Sequence, residues 1–109
     1  MKIKLVCILQ TFTFALHTPA QTIDEQIRNA INNSSWLELR NLDEKEGDKI
    51  QTPVLQPLSR FFIAHFFNKP DSALLYGNIL LEKHQAELSG SIANILYYMS
   101  DDAACLGHV

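Results

Sequence analysis

The amino-acid sequence predicts an all-α fold in which about five helices form antiparallel hairpins, followed by a short C-terminal stub. Apolar residues recur at helical spacing through most of the chain after residue 20, and capping residues stand at the start of several of these segments. The aromatic segments Phe61–Phe67 and Ile92–Tyr98 also superimpose at an offset of 31 residues, which places Asp71 on Asp102. This offset indicates a weak helix-turn-helix repeat.

The first two helices are marked by local signals. Thr22–Glu25 has the form of a capping box, in which the threonine hydroxyl accepts from the glutamate amide and the glutamate carboxylate accepts from the threonine amide. The first helix is predicted to end near Asn32-Asn33, whose side chains compete for backbone hydrogen bonds. Ser34 or Ser35 then caps the second helix, Leu37–Glu46, and the following glycine ends it.

The third helix is predicted to lie between neighbouring helices. Thr52 caps it, and Pro53 occupies its first position, where the missing amide costs nothing. The alternative is that Pro57 delays the regular helix to about Gln56. Apolar side chains in Leu58–Phe67 wrap over half of the circumference, which is typical of a helix buried on several sides. The aromatic content would also suit a strand, but the helical spacing of these residues favours a helix.

The fourth and fifth helices are predicted to be bounded by aspartates. Asp71 caps the fourth helix, and Gly77 inside it predicts the close approach of another helix, because a glycine there costs about 1 kcal/mol relative to alanine. The fifth helix spans the apolar positions of Leu88–Met99. Ser100–Asp102 is then expected to cap a sixth helix, the stub, which begins at Ala103.

Residues 1–20 are predicted to be a secretory signal peptide. Two lysines precede the apolar segment Leu5–Leu16, and Thr18–Ala20 supplies the small residues before a cleavage site. A transmembrane anchor is the competing interpretation, but a span needs about 20 apolar residues and this segment has about a dozen. We therefore expect an exported protein, periplasmic or extracellular, whose helical-hairpin domain comprises residues 21–109.

Charge and cysteine content limit the possible partners. The formal charge is −3, and removal of residues 1–20, which takes two lysines and no acids, lowers it to −5. An acidic domain without a basic cluster predicts no nucleic-acid partner and no stable membrane anchor. Cys105 is the cysteine that remains after this removal, so we expect helix packing rather than a disulfide to stabilise the domain.

No motif predicts catalysis, a metal or another cofactor. No Gly-x-Ser-x-Gly turn or EF-hand loop occurs, and no two histidines after residue 20 stand four residues apart, as a helical zinc pair does: His65, His84 and His108. Cys105 is interpreted as a small buried residue, with a reactive thiol at the start of the sixth helix as the alternative. Asp101 and Asp102 are interpreted as helix caps.

A set of aromatic residues is predicted as a possible interaction surface: Trp36, Phe62, Phe67, Tyr97 and Tyr98. Core packing is the alternative explanation for the same side chains. The partner would be another protein or a domain downstream of this chain. Because the sixth helix stops within two turns, we expect the chain to be a fragment, either the N-terminal piece of a longer protein or a truncated gene product. The sequence therefore predicts a non-catalytic helical scaffold or protein-interaction module.

Several segments together resemble the N-terminal region of exported retropepsin-like aspartyl proteases of gut bacteria. They are 20–27, Asn29-Ala30, Trp36, 58–62 and 65–71. The resemblance covers most of the chain. It implies a signal peptide, a helical region similar to tetratricopeptide repeats, and a protease domain that follows. The alternative function is therefore the accessory region of a secreted aspartic protease.

The chain departs from this family at the residues that matter for activity. The family's catalysis is similar to that of other aspartic proteases in using an Asp-Thr/Ser-Gly loop, and no aspartate here is followed by that pair. Asp71 is followed by Ser72 and then by Ala73. No catalytic residue is therefore carried over. The likeness to tetratricopeptide repeats is also partial, since that repeat has a period of about 34 residues rather than 31.

Overall fold

The computed structural model describes residues 21–107, which contain five α-helices. These are α1 (Ile23–Asn32), α2 (Trp36–Glu46), α3 (Leu55–Phe66), α4 (Pro70–Lys83) and α5 (Ile92–Cys105), with a 3-10 turn, Gly47–Lys49, after α2. Successive helices pack against one another, and α3 also contacts α1. The predicted all-α hairpin fold is confirmed. The predicted signal peptide and His108 lie outside the described residues.

The α1–α2 and α3–α4 turns share one backbone geometry. In the first turn Ser34 has a φ of 55°, and the amide that follows it donates to the Ala30 carbonyl at 2.8 Å. In the second turn Asn68 has a φ of 63°, and the amide that follows it donates to the Ala64 carbonyl at 2.8 Å. This bond pattern closes the C-terminus of each preceding helix in a Schellman motif. The equivalent residues of the two turns are 34 positions apart.

The same 34-residue offset relates residues inside the helices. Trp36 and Pro70 are the first residues of α2 and α4. Ile27, Phe61 and Ile95 are fully buried in α1, α3 and α5, and each is 34 residues from the next. Alternate helices therefore bury equivalent positions.

The offset of 31 residues predicted from the sequence is wrong. It places Asp71, which is exposed in the first turn of α4, on Asp102, which is buried within the last turns of α5. It also places Phe66, at the end of α3, on Tyr97, in the middle of α5. The residues that match at this offset therefore occupy unrelated positions in the structure.

The predicted helix starts are correct in part. Thr22 Oγ1 accepts from the Glu25 amide at 3.2 Å, which confirms this half of the capping box. Asp71 is not a cap, because Lys69 occupies the cap position and Pro70 is the first residue of α4. Proline suits that position because no intrahelical bond needs its amide. α3 begins at Leu55 rather than directly after Thr52, within one residue of the alternative start near Gln56.

The predicted sixth helix is not a separate element. α5 continues without a break through Ser100–Asp102 to Cys105, so the stub is its last turn. Asp102 does not cap a helix; its carboxylate is buried and accepts a hydrogen bond from His65 instead. Cys105, predicted to be buried, is exposed at the end of α5.

Two clusters of buried side chains form the core. The first lies between α1, α2 and α3 and contains Ile27, Ala30, Leu39 and Leu55. The second involves α3, α4, α5 and the segment before α5, and contains Phe61, Ala64, Ala73, Leu80, Leu88 and Ile95. Val54, Leu58 and Phe62 pack against both clusters. α3 is therefore the central helix, as its apolar circumference predicts.

The close helix approach predicted at Gly77 is confirmed. A Cβ atom added to this residue would lie 2.6 Å from Met99 Sδ and 2.9 Å from Met99 Cγ, which belong to α5. Such distances are shorter than van der Waals contact, so the absence of a side chain at Gly77 allows α4 and α5 to pack this closely.

Asp24 ties α1 to the segment that leads into α3. Its carboxylate accepts from the Gln51 amide at 2.9 Å, from the Thr52 amide at 2.9 Å and from the Thr52 hydroxyl at 2.5 Å. Arg28 also donates to the Thr52 hydroxyl, at 3.3 Å. The hydrogen bond from the Thr52 hydroxyl, followed by that from the Gln51 amide, holds the pKa of Asp24 below its ordinary value. Thr52, predicted to cap α3, therefore binds α1 instead.

Asp24→Asn is expected to lower the free energy of unfolding by about 1–2 kcal/mol at pH 7, because the amide replaces a charged acceptor. Since the folded-state pKa of Asp24 is lowered, its stabilisation is present above about pH 4 and is lost as the pH falls through the folded-state pKa. The difference between wild type and variant should therefore shrink at pH 3. Urea unfolding at both pH values measures it. The exposed Asp101→Asn is the control, and an equal effect of both substitutions would contradict the assignment.

Candidate functional site

Five aromatic side chains from α2, α3 and α5 form a continuous group, here named the aromatic cluster. Trp36 stacks on Phe62 and Phe66 with ring centroids 5.2 and 4.2 Å apart. Tyr98 meets the same two rings edge-on at 6.2 and 5.6 Å. Tyr97 lies next to Tyr98, with their centroids 5.8 Å apart. The cluster thus joins three helices that are distant in sequence.

The aromatic cluster contains four of the five residues predicted as an interaction surface. The fifth, Phe67, lies elsewhere, with the Arg40 guanidinium carbon 4.1 Å from its ring centroid. Phe66 was not among the residues predicted for this surface, but it is the last residue of α3 and its side chain is exposed. The i, i+4 spacing from Phe62 was the signal that could have placed Phe66 in this surface.

A buried histidine–aspartate pair lies beneath the cluster. His65 Nδ1 is 2.9 and 3.1 Å from the two carboxylate oxygens of Asp102, and the side chains are only 11% and 6% exposed. Because a carboxylate accepts, the Nδ1–H donates. The His65 ring also packs on Tyr98, with centroids 4.5 Å apart. The pair therefore fixes α5 against α3 at the point where both helices contribute to the aromatic cluster.

A trough runs beside the cluster between the end of α1 and the start of α5, with α3 as its floor. It consists of two adjoining cavities of about 460 and 290 Å³. Both cavities are lined by Ile31, Asn32, Phe62 and Ser91. Because they share these residues, the cavities form one continuous depression, and Trp36 and Tyr98 line its smaller part.

The lining of the trough is apolar below and polar at its edges. Val54, Leu58 and Phe62 form one i, i+4 stripe along the floor, which belongs to both core clusters. Arg28 and Glu87, of opposite charge, line the larger cavity. The polar residues that line the smaller cavity are uncharged: Asn32, Ser34, Ser91, Asn94 and Tyr98.

In the described residues, the other side chains considered for metal binding or catalysis lie at separate places in the fold. Within residues 21–107 no group of three or more His, Cys, Asp or Glu side chains is close enough to hold a metal ion. His84 Nδ1 lies 3.6 Å from Glu87 Oε2 at the surface. Cys105 lies at the C-terminus of α5, where the helix dipole does not stabilise a thiolate. The alternative of a thiol activated at a helix start is therefore wrong. In the same part of the chain, no helix is both long and apolar enough to cross a membrane.

Comparisons with protein-family models, with curated proteins and with solved structures find no match for this chain. The resemblance to exported retropepsin-like proteases therefore stays a prediction from the sequence, as does export itself.

Proposed function

We propose that the protein is a non-catalytic interaction module of an exported protein, whose partner is a polypeptide that covers the aromatic cluster with apolar side chains. The observation that supports this proposal is the continuity of the cluster with the apolar trough. Tyr97 is 69% exposed, and Phe66 is exposed beside Trp36. Aromatic side chains of this kind supply most of the binding energy in protein interfaces.

Continuity distinguishes this surface from the other exposed apolar residues. Leu37, Leu75 and Leu96 are 58%, 57% and 49% exposed, but none of them belongs to the cluster or lines the trough. Isolated exposed leucines are normal in soluble proteins, whereas contiguous apolar patches mark interaction sites.

The proposed scaffold is similar to tetratricopeptide repeats. Its support is the 34-residue offset between equivalent turns and buried positions, which is the period of that repeat. The bulky Ile27, Phe61 and Ile95 at equivalent buried positions are a departure from the small residues of that repeat's first helix. The proposal therefore concerns the helical-hairpin architecture and its use as a binding scaffold.

Tyr97→Ser is expected to weaken partner binding by about tenfold or more, because truncation of a tyrosine at an interface hot spot costs about 2 kcal/mol or more. Random peptides displayed on phage, selected on the full chain, supply the ligands, and titration calorimetry measures their affinity. Leu75→Ser is the matched control, since it removes a similarly exposed apolar side chain from α4. Selected peptides that bind both variants equally, or a selection that enriches no binder, would contradict the proposed function.

A further inference from the structure

We infer that the trough binds an extended, uncharged polypeptide segment that seats one apolar side chain over Leu58 and Phe62. This inference rests on the proposed function and specifies how the partner is recognised. It concerns the trough rather than the exposed rings of the cluster.

The volume of the trough suits a short segment of a single chain. The two cavities hold about 460 and 290 Å³ and share Ile31, Asn32, Phe62 and Ser91, so one segment can contact both. An extended chain advances about 3.3 Å per residue, so a few residues suffice.

The polar groups at the edges favour an extended rather than a helical segment. Asn32 and Asn94 each present amide donors and an acceptor oxygen, and Ser34 and Ser91 present hydroxyls that do both. A helix satisfies its own backbone N–H and C=O groups, but an extended segment needs external partners for them. The edges of the smaller cavity supply these partners on both the α1 and the α5 side.

The charge distribution favours an uncharged segment in the smaller cavity. No Asp, Glu, Lys or Arg lines this cavity, so a charged side chain entering it would lose water without gaining a counter-ion. The larger cavity has Arg28 and Glu87 on its edges and an apolar floor, which suits an apolar side chain flanked by peptide groups. The two cavities together thus favour a ligand that has one apolar side chain followed by neutral polar residues.

The test uses the full chain and short synthetic peptides. The probe is an acetylated, amidated hexapeptide of serine and glycine with one leucine or phenylalanine near its centre. In methyl NMR we expect shifts concentrated at Ile31, Leu58 and Leu88, with dissociation constants of about 1 mM. Replacing the flanking residues by helix-favouring α-aminoisobutyrate should abolish these shifts, because the helix satisfies the backbone groups that the edges would bind.

A matched pair of variants locates the site. Ser91→Tyr places a bulky side chain where the cavities meet, and it keeps the start of α5, because the Ser91 side chain makes no capping bond. Ser100→Tyr makes the same change at an exposed position of α5 that lines neither cavity. We expect Ser91→Tyr to weaken peptide binding by about tenfold or more and Ser100→Tyr to change it by less than about twofold.

Three results would overturn the inference. They are equal effects of the two tyrosine variants, absence of peptide shifts at about 5 mM, and the same shifts caused by neutral maltotetraose but not by the peptides. Tyr97 does not line the trough. If only this inference fails, phage-selected ligands should still bind Tyr97→Ser more weakly than wild type. If the proposed function fails, they should bind both equally.

Discussion

Phe61→Ala is expected to lower the free energy of unfolding by about 4 kcal/mol, which corresponds to a decrease in Tm of about 20 °C for a domain of this size. Phe61 is fully buried and is the largest such side chain in the described residues. Its neighbours in the core cluster include Ala64 and Ala73, whose short side chains cannot fill the space that the ring leaves. The substitution therefore removes apolar burial and also creates a cavity.

Urea unfolding of the full chain, followed by circular dichroism at 222 nm, measures this loss. Phe66→Ala is the matched control, because Phe66 is on the same helix and is 39% exposed. We expect the control to cost less than half as much. Equal losses for the two variants would show that Phe61 is not a central core residue, and the packing of α3 between the two clusters would then be wrong.

His65→Phe is expected to cost about 3 kcal/mol, although phenylalanine keeps the ring packing against Tyr98 and Phe66. The reason is that the buried Asp102 carboxylate loses the donor at 2.9 Å and gains nothing in return. If this explanation is correct, Asp102→Leu in the His65→Phe background should recover most of the loss, because it removes the unpaired group.

A double-mutant cycle of His65→Phe and Asp102→Leu measures the coupling directly. His84→Phe is the control, since His84 also lies beside a carboxylate, that of Glu87, which is 55% exposed. The control is expected to change the free energy of unfolding by less than about 0.5 kcal/mol. A coupling energy near zero would mean that the pair does not hold α5 against α3.

Features that depend on neighbouring residues were predictable from the sequence. Thr22 accepts from the Glu25 amide, and α1 ends at Asn32, because both depend on residues within one helical turn. The packing of α3 on several sides was also predictable from its apolar circumference. Gly77 indicated a close helix contact because a helical glycine needs a compensating reason.

Features that depend on distant partners were not predictable in this way. Asp102 has the same local sequence whether it caps a helix or accepts from a histidine, and His65 is 37 residues away. Thr52 likewise carried an ordinary capping signal, while its actual contact with Asp24 spans 28 residues. The 34-residue offset was missed because few equivalent positions share a residue type: Ala30 and Ala64 do, but Phe61 lies between Ile27 and Ile95. Phe66-Phe67 and Tyr97-Tyr98 look alike and are not equivalent.

The candidate surface was predictable as a set of residues but not as a shape. Trp36, Phe62, Tyr97 and Tyr98 meet because the hairpins bring α2, α3 and α5 together. Phe67, one residue beyond α3, points to Arg40 instead. The trough depends on Asn32 and Asn94, and nothing in the local sequence of either residue shows that α1 and α5 bring them to the same cavity.

The most direct test of the central claim is the measurement of intermolecular nuclear Overhauser effects between the full chain and a phage-selected peptide. If the peptide covers both the aromatic cluster and the trough, its protons should contact the methyl groups of Ile31 and Leu58 and the ring of Tyr97. Contacts confined to Leu37 or Leu75, which are exposed outside the aromatic cluster and the trough, would contradict this claim.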